Sequence, residues 1–356
     1  MYKHIIILLY MLLSSLIFYY FLFSQIWAKA IYLQLIYTIF SKSHLRFNFM
    51  SDYIRQHAVA IDYKLDESWI ILSEIEQSIK KKIEAVGTPL KDWDISINYG
   101  IKTGLNEAFI ISKEKRDELI KADPKSAEII RPILRGRDIS RYEVDFQNLY
   151  LINTHNGYIS ENGEVVPPIN IEDYPAIKDW LDNGSWNKKI NQGTNIERLA
   201  KRTDQGVTPY NLRSLAYMDD FSKPKLIYPN MTKYLPFYFD EEQYLTNQKA
   251  FIVTGENIGT LTAFCNSKLF KFVYLDNFPE LQGGTRELSK VFFEKLFVKK
   301  ASATDELEYL KLIKEIQKCK LLNKETTFLE RKLNKKIFNF YKLTYDEILA
   351  INQVIN

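Results

Sequence analysis

The chain has 356 residues, 46% hydrophobic and 26% charged, enough to bury the cores of two or three domains at ~150 residues each. Its net charge of +4 is too mild to imply nucleic acid by itself, so any basic partner surface must be local. Cys265 and Cys319 lie outside any paired motif, and His4, His44, His57 and His155 lack metal-ligand spacing; this argues against a disulfide framework or a zinc site and fits a reducing compartment.

Residues 1–50 form an apolar segment unlike the rest. Residues 5–28 carry no charge and are long enough to cross a bilayer as a helix. Lys3 and Lys29 flank this run and give little orientation signal. Ala28-Lys29-Ala30 has the shape of a secretory cleavage site, but the apolar run exceeds a typical signal-peptide core. A third reading is a start artefact, with foreign sequence joined to a truncated gene.

Residues 51–97 read as a helical connector. In WIILSEIEQSIKKKIEAV, Ile75, Ile79 and Ile83 recur at amphipathic helix spacing, and Gly87 with Pro89 ends the helix. Residues 92–111 predict strand, loop, strand: Ile95, Ile97 and Tyr99 alternate, a Gly-bounded loop follows, and AFII resumes. Residues 113–131 predict a charged helix interrupted at Pro124. Between 142 and 255, short apolar-aromatic runs such as NLYLI (148–152), KLIYPNM (225–231), LPFYFD (235–240) and KAFIVTG (249–255) predict strands joined by irregular loops. Residues 256–275 predict one helix with Leu261, Phe264, Leu269, Phe272 and Val273 toward the core. Beyond Ala301 the chain turns Lys/Glu-rich and helical, with a stripe at Leu307, Leu310, Ile313 and Ile316. The expected fold class is therefore α/β (α+β). A β-rich domain over 98–298 is flanked by helices, with an N-terminal apolar helix and a helical tail over 299–356.

Catalytic motifs are scarce. No glycine-rich dinucleotide or adenosyl loop, no Walker lysine, no Asn-Pro-Pro-aromatic stretch and no Gly-x-Ser-x-Gly turn occurs. Glu330-Arg331-Lys332 has the Glu-x-Lys form of a nuclease metal site but lacks a convincing upstream aspartate.

Polar, cationic loops do recur. GIKTGLNEA (100–108) presents Lys102, Thr103 and Asn106 between glycines, either as an anion-binding loop or as an ordinary hairpin turn. LRGRDISRY (134–142) holds Arg135, Arg137 and Arg141 within seven positions. Guanidinium forks match phosphate or guanine edges, while a surface turn held by Asp138 is the plainer reading. Further candidates are Arg202, Tyr210, Asn211 and Arg213; Lys223, Lys225, Asn230 and Lys233; Asn247, Gln248 and Lys249; and Thr285 with Arg286 after a double glycine. Each loop alone is weak. Together, with no catalytic set among them, they favour an extended surface that reads a polyanion.

Six stretches carry a resemblance: NYGIKTGLNEAFII (98–111), RPILRGRDISRY (131–142), PYNLRSLAYMDDF (209–221), KPKLIYPNMTK (223–233), YLTNQKAFIVTGE (244–256) and the run 261–298. In this order they resemble the TaqI-like C-terminal specificity domain of adenine-specific DNA methyltransferases and Eco57I-like restriction–modification enzymes. The resemblance implies sequence-specific binding of double-stranded DNA, closed against a methyltransferase domain that carries the S-adenosylmethionine pocket and the Asn-Pro-Pro-aromatic motif. This chain has neither motif. No cofactor is therefore expected here, and catalysis by this chain stays open. A separately encoded methyltransferase or nuclease is a possible partner, and the expected location is cytoplasmic. A membrane-anchored binding protein using residues 5–28 is the alternative.

Overall fold

The computed structural model describes residues 73–354, apart from 235, 275–277 and 279, and these lie within one unit spanning 72–356. The apolar segment 1–50 and residues 51–72 of the connector lie outside the described residues. No described helix is long and apolar enough to cross a membrane.

Helix α1 (Glu74–Val86) starts where Ser73 and Glu76 cap each other, Glu76 N donating to Ser73 Oγ at 3.3 Å and Ser73 N to Glu76 Oε2 at 2.6 Å. It buries Ile79 and Ile83, as their spacing predicts, and Gly87 ends it. Strand β1 (Ile95–Tyr99) follows. AFII, expected as strand, divides: Asn106–Phe109 make one helical turn before β2 (Ile110–Ser112), because Thr103 Oγ1 binds Asn106 and the Leu105 amide and starts a turn. Then come α2 (Lys113–Ala122), β3 (Ile130–Leu134), β4 (Leu149–Ile152), the hairpin β5 (Asn156–Ile159) and β6 (Val165–Pro168), α3 (Pro175–Asn183) and α4 (Asn195–Lys201).

The second half runs β7 (Lys225–Pro229), β8 (Met231–Thr232), β9 (Tyr238–Asp240), β10 (Leu245–Thr246) and β11 (Ala250–Gly255). Helices α5 (Ile258–Cys265) and α6 (Lys268–Tyr274) replace the single helix expected over 256–275. The Ser267 hydroxyl donates to the Phe264 carbonyl and accepts from the Phe270 amide, so it competes with the helical ladder at the break. Strands β12 (Glu280–Leu281) and β13 (Thr285–Glu287) precede the tail helices α7 (Ala303–Leu321), α8 (Thr327–Phe340) and α9 (Tyr345–Val354). Helix α7 buries Tyr309, Leu312, Ile313 and Ile316, whereas Leu307 is 67% exposed. The buried face is thus rotated from the predicted stripe and centres on Tyr309.

An antiparallel sheet in the order β9–β7–β11–β1 lies between two hydrophobic cores of the described unit. Strand periodicity sends Leu226, Tyr228, Phe251 and Val253 into one core, with α1, α5, α6 and the tail helices. Ile227, Ala250 and Ile252 enter the other core, shared with a mixed sheet in the order β10–β3–β4–β2. Burial on both faces explains why KLIYP and AFIVTG read as unbroken apolar runs. A small third sheet, β8–β13–β12, extends beyond the end of β7.

Candidate nucleic-acid interface

Asn247, Gln248 and Lys249 form the corner at which the chain leaves the mixed sheet through β10 and enters the central sheet through β11. The corner is closed by the Ala250 amide donating to the Asn247 carbonyl at 3.0 Å, and by Asn247 Oδ1 accepting from the Lys249 amide at 3.1 Å. Its backbone ties three other loops together. Ile101 N donates to Thr246 O and Gln248 N to Ile101 O, at 2.6 and 3.1 Å. Asn247 N donates to Leu134 O at 3.0 Å, and Asn230 N to Lys249 O at 2.9 Å. The Asn230 carbonyl in turn accepts from Leu288 N at 2.7 Å, and Thr232 pairs with Arg286, which joins the 285–287 strand to the same group.

Two glycines permit this approach. A Cβ on Gly100 would overlap the Asn247 carbonyl, and one on Gly136 would overlap the Lys249 carbonyl. Four side chains from the converging loops, Lys102, Arg137, Lys233 and Lys249, are exposed, with no ion pair or hydrogen bond among the described residues. Asn230 Oδ1, Gln248 Oε1 and Thr246 Oγ1 at the same corner are buried without partners.

Many of the other sequence candidates do different work. Lys225 is 0% exposed and pairs with Asp240 at 2.5 Å across the β7–β9 register, while donating to the Phe221 carbonyl at 2.7 Å. Burial lowers the Lys225 pKa and raises that of Asp240 against their mutual attraction. A cation in that position holds the sheet edge and faces no solvent. Arg202 is also buried: its guanidinium lies over the Phe109 ring and donates to the carbonyls of Thr103, Asp204, Pro209 and Asn211, which fastens the 201–214 loop to the 103 loop. Desolvation lowers its pKa to about 10.

Asn211 is buried and donates to the carbonyls of Ile169 and His155. Tyr210 donates to Asp182 at 2.8 Å; burial and that carboxylate push its phenol to about 12. Thr103 is buried and bound to Asn106.

The arginines of LRGRDISRY separate. Arg135 grips Asp138 with Nε and Nη2, at 2.9 and 2.7 Å, as the plainer reading of that turn has it. Arg141 donates twice to the Asn266 carbonyl and pairs with Glu330 of the Glu-x-Lys tripeptide, clamping the loop to the tail. Of the three, Arg137 alone has no partner among the described residues. Lys223 is held by Asp220 and Glu161, Arg286 by Glu280 and the Phe278 carbonyl, and Arg213 faces Asp204 at 3.5 Å. Thr285 is half-buried in β13 beside Arg286.

The corner thus defines a class of architecture: a sheet-borne surface built from loops far apart in sequence, in which some cations stiffen the loops and others stay unpaired among the described residues. Residues 131–298 match the family model of the TaqI-like C-terminal specificity domain, in line with the resemblance read from the residues. No curated protein matches the chain. Among solved structures, the type IIL restriction-modification enzyme MmeI, determined in complex with DNA, aligns at 13% identity and a TM-score of 0.47, over 74% of this chain and 35% of that one. The type IIG restriction endonuclease BpuSI aligns at 12% identity and 0.40, over 75% of this chain and 33% of that one. The chain therefore spans about a third of the length of these enzymes.

Proposed function

We propose that the surface around the 246–249 corner binds double-stranded DNA, and that the chain is the target-recognition part of an N6-adenine DNA methyltransferase or restriction–modification system. One observation carries the reading: four loops, tied through one turn, each bring a cation that the described residues do not neutralise. Unpaired lysines and arginines grip phosphates, and Arg137 has the fork that also fits guanine O6 and N7. The specificity-domain match over 131–298 supports the same assignment. In this reading the S-adenosylmethionine chemistry belongs to a separate methyltransferase or nuclease part that meets the same DNA.

Selection from a randomised duplex pool, combined with a salt titration, tests the proposal. Enrichment of a short motif and steep loss of affinity with salt are expected. A bound pool without enrichment, together with flat salt dependence, would remove the DNA reading.

A further inference from the structure

Arg141, Lys268, Lys271 and Arg331 line a pocket of about 400 Å³ between the α5–α6 junction and α8, with Glu330 as its one carboxylate among the described residues. Glu330 is taken up by Arg141, whereas Lys271 and Arg331 are exposed and make no hydrogen bond or ion pair among the described residues. Tyr234, 82% exposed, also lines the pocket and follows directly on Lys233 of the corner surface. Asn266 is 3% exposed and its orientation is fixed, because Nδ2 donates to the Phe237 carbonyl at 2.9 Å and its backbone carbonyl accepts from Arg141. That leaves Oδ1 as a buried acceptor with no donor. An inorganic anion would use the cations and leave both the aromatic ring and this acceptor idle.

We propose that the pocket holds a nucleotide. Its phosphate meets Lys271 and Arg331, its base lies against the Tyr234 ring, and an amino group of the base supplies the donor that Asn266 Oδ1 lacks. Stacking on an exposed aromatic tolerates any base, whereas the orphan acceptor favours adenine or cytosine over thymine, which has no amino group. Two sources carry this chemistry: a free nucleoside monophosphate, or an unstacked nucleotide of DNA held at the neighbouring surface. Only the second source rests on the DNA reading.

The test measures binding of AMP, TMP and inorganic phosphate to the full chain by calorimetry or saturation-transfer NMR. AMP is expected to bind about tenfold more tightly than TMP, and more tightly still than phosphate. Lys271→Gln with Arg331→Gln should weaken AMP at least tenfold, and Tyr234→Ala should reduce AMP to the level of phosphate. Phosphate binding as well as AMP, or AMP unaffected by the double substitution, would overturn the pocket. If no free mononucleotide binds, the same variants are compared on a duplex containing one unpaired adenine. A tenfold loss assigns the pocket to a DNA nucleotide, and an unchanged affinity rejects it. Arg137→Gln with Lys249→Gln, measured alongside, separates the two proposals. If that pair leaves duplex binding intact while the pocket variants lose AMP, the DNA surface fails and the pocket stands. All substituted side chains are solvent-exposed, and thermal unfolding checks that each variant folds.

Discussion

Replacing Lys102, Arg137, Lys233 and Lys249 together by glutamine removes the charges that the structure leaves uncompensated at the corner. On duplex DNA each phosphate contact releases counterions and contributes about −0.9 to the slope of log affinity against log salt. Four contacts therefore contribute about −3.6. Between 50 and 200 mM salt that corresponds to roughly a 150-fold loss of affinity, or about 3.5-fold per contact. Fluorescence anisotropy with a random 20-mer duplex, titrated across that salt range, reads the slope for the parent and the variant. The quadruple variant should have a slope shallower by about 3.6, and each single variant by about 0.9. Lys113→Gln serves as the control, since Lys113 already pairs with Asp117 at 3.0 Å along α2 and should leave the slope where it was. A quadruple variant that keeps the parental slope to within about one unit would refute the reasoning, because unpaired charge would then not mark the DNA contacts.

Three further outcomes follow from particular contacts. Gly136→Ala, at a buried position, forces the 136 loop away from the Lys249 carbonyl, so it should both lower the thermal midpoint and weaken duplex binding several-fold by moving Arg137 and Lys249 apart; anisotropy and calorimetry on one sample decide it. Asp240→Leu strands Lys225 in the core and should cost about 3–5 kcal/mol in urea unfolding, while Asp240→Leu with Lys225→Met should recover most of it; equal losses in the two proteins would argue against the pair as the cause. For Glu347, burial alone would raise the pKa, but Lys82 at 2.7 Å, the Thr344 amide and Ser78 outweigh it and hold the carboxyl below its ordinary 4.5. A depressed carboxyl stabilises the fold above the ordinary value and loses that contribution as pH falls through the folded value. Stability should therefore decline below about pH 4.5, and Glu347→Gln should flatten that decline in urea midpoints taken from pH 7 to 3.

The strands of the central sheet and the amphipathic α1 were legible because burial writes itself into the residue pattern: two apolar faces give KLIYP, one apolar stripe gives Ile79 and Ile83. The division of residues 256–275 into two helices was harder, since Asn266-Ser267 interrupts the helix through local hydrogen bonds and leaves the apolar spacing intact. The candidate surface was legible as a set of loops and much less so as individual side chains. Lysine and arginine look alike in sequence whether they face solvent or a partner. Lys225 finds Asp240 only through strand pairing, and Arg202 finds its four carbonyls only once distant loops have folded together. Arg135 was the exception, because Asp138 lies three residues away and a turn brings the two together. Tyr234 and Lys271 carry no periodic or motif signal, and Arg331 entered the sequence reading only as the middle of the Glu-x-Lys tripeptide; the fold collects the three around one opening.

At the 246–249 corner the main chain does the fastening, through amides and carbonyls that any residue supplies. The side chains of Gln248 and Lys249 are thereby released from structural duty. Under the DNA reading proposed above, they can be exchanged, and the preferred target with them, without rebuilding the scaffold beneath.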